Sequence, residues 1–312
     1  MKLLVRLLSA AFVSACIGFV IVLVWRDWPA ASQALRDANY LLLIPAAAMA
    51  ALSMGLMAWR WGAAIDAVGG KSNSHHRVIS SYFVGEFGKY IPGGVFSMLG
   101  RGEMARREGH PRSVAYSSIA LSLIALYLAA ALTSVALAGL ALLGGSITIP
   151  WWPLIIIAFG GIALLHPRVG NLMAAASSRV LKRPLTVTIP SWSRALRLTA
   201  WYVPAWILVA GATVLVARSL DPHVDVARVA LAAVLGWVIG FVTPSPGGLG
   251  VREAIFVAVA GLSAGPATAI ALLARLLFVG VDAVGAGLGW FILRGKDPSQ
   301  SLRDANDEGV GV

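Results

Sequence analysis

The chain of 312 residues is 58% hydrophobic and only 12% charged, with a mean hydropathy of +0.80. No single soluble domain hides that much apolar surface, so a soluble enzyme or binding module is excluded and an all-α polytopic membrane protein is expected. The net charge of +11 does not point to nucleic acid, because Lys and Arg fall in short loops between apolar stretches and form no basic face interleaved with aromatics.

In chain order, apolar segments long enough to span are expected at 7–25, 40–65, 114–143, 151–165, 198–217 and 266–293, judged against the ~20 residues that a bilayer requires. The first follows Lys2 and Arg6 and is longer than a signal-peptide core, so it reads as an uncleaved anchor. It contains Cys16, the single cysteine, which leaves no disulfide framework and no cysteine metal site. Two further stretches, 78–104 and 226–262, are each split by a Pro-Gly-Gly turn into arms short for a full crossing. Both are expected to be re-entrant helical hairpins, since a broken backbone at membrane depth is tolerated only against protein or a water-filled cavity. Between the halves, 166–197 reads as a basic cytoplasmic loop with Pro184 and Pro190, and 295–312 as a disordered cytoplasmic tail.

Lys and Arg set the orientation. One side collects Lys2, Arg6, Arg60, Arg77, Arg106, Arg107, Arg112, Arg194, Arg197 and Arg294, among others, while the opposite side keeps Arg26, Arg36, Arg218 and Arg228. That asymmetry places both termini in the cytoplasm, with Trp25, Trp28, Trp151 and Trp152 in the outer aromatic belt. Six spans and two hairpins then divide into repeats at 1–148 and 149–294. Three crossings separate the hairpins, so the halves are antiparallel, the inverted-repeat plan of many secondary transporters.

Charge at membrane depth costs at least ~2.5 kcal/mol and usually faces a cavity or a partner. The residues so placed are Glu86, Lys89, Arg101, Glu103, Arg252, Glu253, Arg275 and Asp282. Arg101 and Arg252 are expected to meet an anionic headgroup, because a guanidinium fork matches phosphate. Glu103 and Glu253 are expected to pair with them or to titrate, with Glu86, Lys89 and Arg275 in the same site. Ordinary intrahelical pairs account equally for Glu86 with Lys89 and Glu103 with Arg107, and Arg275 and Asp282 read first as structural partners of Glu253 or neighbouring helices. Pro92, Gly93, Gly94, Pro246, Gly247 and Gly248 form the hinges, their glycines leaving N–H groups free to favour an anion. Gly285 and Gly289 form a G-x-x-x-G pattern that reads as close helix packing. The five histidines give no metal-ligand spacing, and neither a catalytic group nor a cofactor site is expected.

The run Gly85-x-Phe87-Gly88-Lys89-Tyr90-Ile91-Pro92-Gly93-Gly94, continuing to Gly100-Arg101, and the run Pro244-x-Pro246-Gly247-Gly248-Leu249-Gly250-Val251-Arg252-Glu253-Ala254 resemble the transmembrane domain of lysylphosphatidylglycerol synthases and their stand-alone, flippase-like relatives. The resemblance implies a bacterial or archaeal inner-membrane protein that moves an aminoacylated or otherwise modified phospholipid between leaflets. Full-length synthases add a soluble domain that uses aminoacyl-tRNA. Here the chain ends at Val312, so translocation is expected and aminoacyl transfer is not. The turn Gly88-Lys89-Tyr90-Ile91-Pro92-Gly93 also resembles DedA-type undecaprenyl-phosphate translocases, which leaves a polyprenyl-phosphate lipid open as substrate. The alternatives are a membrane-embedded lipid-modifying transferase and a non-transporting scaffold for a lipid-modifying enzyme.

Overall fold

The computed structural model describes residues 32–91, 95–145, 152–180, 189–243, 248 and 250–294, with isolated positions at 22, 25, 28 and 29. From Tyr40 onward the elements are α1 (Tyr40–Ala67), α2 (His75–Glu86), a 3-10 turn (Phe87–Tyr90), α3 (Phe96–Arg107), α4 (Arg112–Leu143), α5 (Trp152–Leu164), α6 (Pro167–Val180), α7 (Trp192–Leu220), α8 (Val226–Val242), α9 (Val251–Ala260) and α10 (Ala264–Arg294). Of these, α1, α4, α7 and α10 are long and apolar enough to cross a membrane. Their 28 to 32 residues make rods of about 42 to 48 Å, against a hydrocarbon core of about 30 Å. Large apolar side chains face outward along them, including Leu41, Ile44, Leu143, Val284 and Phe291. The chain is a helical membrane protein.

Local chemistry fixes the breaks. The Asn39 side chain accepts the Leu41 N–H at 3.0 Å and starts α1, and Asp225 caps α8 through the Arg228 N–H at 3.0 Å. After α2, the 3-10 turn ends at Ile91, whose ψ of 136° is the extended backbone that a following proline imposes. Gly250, at φ 77°, precedes α9 in a conformation that a side chain would strain.

Two helical hairpins result. The arms α2 and α3 approach so closely that a Cβ on Gly85 would stand 2.5 Å from the Arg101 nitrogen, and one on Gly88 2.7 Å from the Phe96 carbonyl oxygen. In the second, Gly240 and Gly248 flank the Arg252 stem, and Arg228 Nε donates to the Val259 carbonyl at 3.2 Å. The long helices hold these hairpins. α1 runs antiparallel to α7, with the Asn39 N–H on the Ser219 carbonyl at 2.8 Å. α2 lies on α10, where Gly285 faces Phe83 and Gly289 faces the Ser80 backbone, and α8 packs on α4. Trp61, Tyr202, Trp206 and Phe278 fill the space between.

Several boundaries differ from expectation. The apolar run at 151–165 is described as α5, 13 residues from Trp152 to Leu164, and the residues just before it, 146–151, lie outside the described ones. The stretch 166–197 is not a loop throughout. Pro167 supplies the preset φ of a first helical residue, His166 Nδ1 accepts the Arg168 N–H at 3.2 Å, and α6 follows, while α7 already begins at Trp192. The first span at 7–25 lies outside the described residues except Val22 and Trp25. The hinge residues Pro92, Gly93, Gly94, Pro246 and Gly247, the outer-belt position Trp151 and the tail 295–312 also lie outside them.

Candidate functional site

The tips of both hairpins converge on the middle of α10. At the first tip, Glu86 closes α2 and faces Arg101 of α3 across the hairpin, Nε to Oε2 3.2 Å, with the Arg101 side chain only 2% exposed. The Arg101 guanidinium also stands 5.2 Å from the Tyr82 ring centre. The 3-10 turn swings the next charge elsewhere: Lys89 Nζ reaches Asp282 of α10 at 2.7 Å, and the Tyr90 hydroxyl donates to the same carboxylate at 2.6 Å. One aspartate therefore ties the first hairpin to α10.

The second tip meets α10 one helical stretch earlier. Arg275 Nη1 donates to Glu253 at 2.9 Å, the pair being 5% and 14% exposed. Next to Glu253, Arg252 has no carboxylate within 4 Å among the described residues, and its guanidinium carbon stands over the Trp237 ring of α8, 3.9 Å from the ring centre. Lys89 sits 5.6 Å from the same ring, so Trp237 is where the hairpins meet. Phe278 braces it edge-on at 5.3 Å. Tyr127 of α4, stacked 4.6 Å from Phe241, stands within electrostatic range of Glu86, Arg101 and Arg252.

Hydrogen-bonding capacity is left over here. Glu86 Oε2, Arg101 Nε, Trp237 Nε1, Glu253 Oε2 and Arg275 Nη2 are all buried and make no hydrogen bond in the structure; the Glu86 and Arg101 atoms are within Coulombic reach but misaligned. Buried polar groups are normally satisfied, so a concentration of unsatisfied ones marks a place where a polar ligand or water belongs. The cavity beside Trp237, Arg252 and Glu253 measures only about 20 Å³, room for a water and not a headgroup.

Six sequence-derived candidates, Glu86, Lys89, Arg101, Arg252, Glu253 and Arg275, thus gather in one cluster, Arg101 and Arg275 buried and the other four part-buried. Glu103 stands apart, 46% exposed and paired with Arg106 at 3.2 Å and Arg107 at 3.4 Å on its own helix. The partners also differ in part from those expected. Arg101 takes Glu86 where Glu103 was the expected mate, whereas Arg275 takes Glu253 and Glu103 takes Arg107, as the structural readings of those residues expected. Of the hinge glycines, Gly248 is buried with φ 74°. Sequence reading passed over Trp237 and Tyr90, since an aromatic in an apolar helix reads as core. Among the described residues no three His, Cys, Asp or Glu side chains gather to hold a metal.

A family model described as the lysylphosphatidylglycerol synthase TM region matches residues 6–285. No curated protein matches the chain. The chain belongs to the family of lysylphosphatidylglycerol synthase TM regions.

Proposed function

We propose that the chain is a lipid translocase that moves an anionic or aminoacyl-modified phospholipid, or a polyprenyl-phosphate lipid, between the leaflets of a bacterial or archaeal inner membrane, with both termini cytoplasmic. Membership in the family is consistent with a membrane lipid-related role. The observation that carries the finer reading is Arg252, a guanidinium standing over Trp237 with no carboxylate within 4 Å among the described residues, amid buried polar atoms that make no hydrogen bond. A part-buried charge at membrane depth with no carboxylate within 4 Å among the described residues is costly, and a transiting phosphate would supply an anion. Arg101 would serve in the same way once released from Glu86.

The order span, hairpin, span occurs twice, as α1, α2–α3, α4 and as α7, α8–α9, α10. Interchanging the halves preserves who packs on whom, since α2 lies on α10 as α8 lies on α4, and α1 is antiparallel to α7. This supports an inverted repeat with two re-entrant hairpins, whose tips meet where a midplane substrate would pass. Passage requires the tips to part around Trp237, the Lys89–Asp282 and Arg275–Glu253 pairs reclosing the path behind the lipid. Liposomes containing the purified protein and labelled phosphatidylglycerol, lysyl-phosphatidylglycerol or a polyprenyl phosphate test the reading. Protein-dependent leaflet exchange of one of them is expected, and no exchange of any would overturn it.

A further inference from the structure

We infer that a second site, separate from the hairpin tips, binds a phosphate-bearing headgroup in a pocket between α2, α3 and the C-terminal end of α10. The pocket measures about 280 Å³, close to the ~300 Å³ at which small-molecule sites begin. Its rim carries Arg77, Arg107 and Arg294, and its inner wall is apolar, with Val84, Met104 and Trp290. Arg77 sits three residues into α2, its Nε buried without a hydrogen bond and its guanidinium without a carboxylate within 4 Å among the described residues. Arg294 places its guanidinium over the face of Trp290, 3.2 Å from the ring centre. Arg107 has only the exposed, 3.4 Å pair with Glu103.

One carboxylate, Glu108, also lines the pocket, and its oxygens are already engaged. Asn73 Nδ2 donates to one at 2.7 Å and the Ser81 hydroxyl donates to the other. Three guanidiniums therefore face one carboxylate whose oxygens are already hydrogen-bonded, a net surplus of positive charge over an apolar wall. A guanidinium cluster matches the oxygens of a phosphate mono- or diester, and the apolar wall beneath it suits the glycerol and first methylenes of a lipid. The pocket lies at the end of the bundle where Arg60, Arg194 and Arg197 line a neighbouring cleft, the end that carries the excess of basic residues. Arg77 precedes Glu86 by nine residues on one helix, about 13 Å, so the pocket and the central cluster share α2 without sharing a side chain. Occupancy does not depend on lipid crossing the bundle.

The full-length protein, purified in detergent micelles, is titrated with fluorescent phosphatidylglycerol, with inorganic phosphate and glycerol phosphate as competitors. The double variant Arg77→Gln/Arg294→Gln raises the Kd about tenfold, as loss of charge-assisted bonds requires, and Arg106→Gln, outside the pocket, leaves it unchanged. Val84→Trp fills the pocket while keeping all three arginines and weakens binding by a similar factor, which serves if the double variant fails to fold. Competition by phosphate alone at millimolar concentration identifies a free anion as the occupant, whereas competition only by the lipid identifies a membrane headgroup. Kd values within about twofold of wild type for both Arg77→Gln/Arg294→Gln and Val84→Trp overturn the inference.

Discussion

Replacing Asp282 by alanine tests the junction between the first hairpin and α10. The carboxylate is 4% exposed and 2.7 Å from Lys89 Nζ, while the Tyr90 hydroxyl, fully buried, donates to it at 2.6 Å. At an effective dielectric of about 20, the ion pair alone is worth about 6 kcal/mol of Coulomb energy. Desolvation of both ions offsets much of that in the intact protein. Removal of one partner is another matter, since it leaves a buried ammonium unpaired at about 3 to 5 kcal/mol, and the orphaned hydroxyl adds about 1 to 3 kcal/mol. Lys89 is 15% exposed and recovers some hydration, so the lower half of the combined range is expected, about 4 to 6 kcal/mol. Thermal unfolding in detergent, followed by loss of the monodisperse size-exclusion peak, reads the effect as a melting temperature lower by several degrees. The companion double variant Lys89→Met/Asp282→Ala removes the stranded charge and is expected to melt above Asp282→Ala alone. A single variant that melts within about one degree of wild type, or a double that falls by the sum of its singles, refutes the reasoning.

Three other predictions follow from particular contacts. Gly289→Ala places a methyl 2.8 Å from the Ser80 carbonyl oxygen, whereas Gly287→Ala meets nothing within 4 Å; the first is expected to cost about 1 to 3 kcal/mol and the second to leave the melting temperature unchanged. Glu103→Gln removes only pairs whose members are 40 to 60% exposed, so stability should move by less than about 0.5 kcal/mol, with leaflet exchange unaltered. Arg252→Lys keeps the charge but loses the guanidinium that stands over Trp237 at 3.9 Å, and leaflet exchange is expected to drop several-fold while the fold survives; unchanged exchange would show that the guanidinium has no part in it.

Apolar length was enough to locate α1, α4, α7 and α10, and the Pro-Gly-Gly runs marked where two helical segments fold back on themselves. The gathering of Glu86, Lys89, Arg101, Arg252, Glu253 and Arg275 was also legible, because each is an ionisable group in an apolar context beside a break. Pairing was legible only in part. Glu86 and Lys89 lie at a helical i,i+3 spacing, yet α2 gives way to a 3-10 turn at Phe87, which tightens the winding and sends Lys89 to Asp282 and Glu86 to Arg101. Such an outcome depends on helix rotation and on neighbours more than a hundred residues away. Trp237 carries the junction of the tips, but in sequence it is one more aromatic in a buried helix. The helix α6 escaped because its serines and arginines dilute the apolar pattern and its first residue is a proline that reads equally as a turn.

The most direct test of the central claim is leaflet exchange of the active lipid in liposomes reconstituted with wild type and with Arg252→Ala, at equal protein incorporation. The account predicts that the wild type equilibrates the label between leaflets and that Arg252→Ala, folded and monodisperse, loses most of that activity. Full exchange by Arg252→Ala would contradict it, because a guanidinium with no carboxylate within 4 Å among the described residues, at the meeting point of the hairpins, would then have no role in carrying the headgroup.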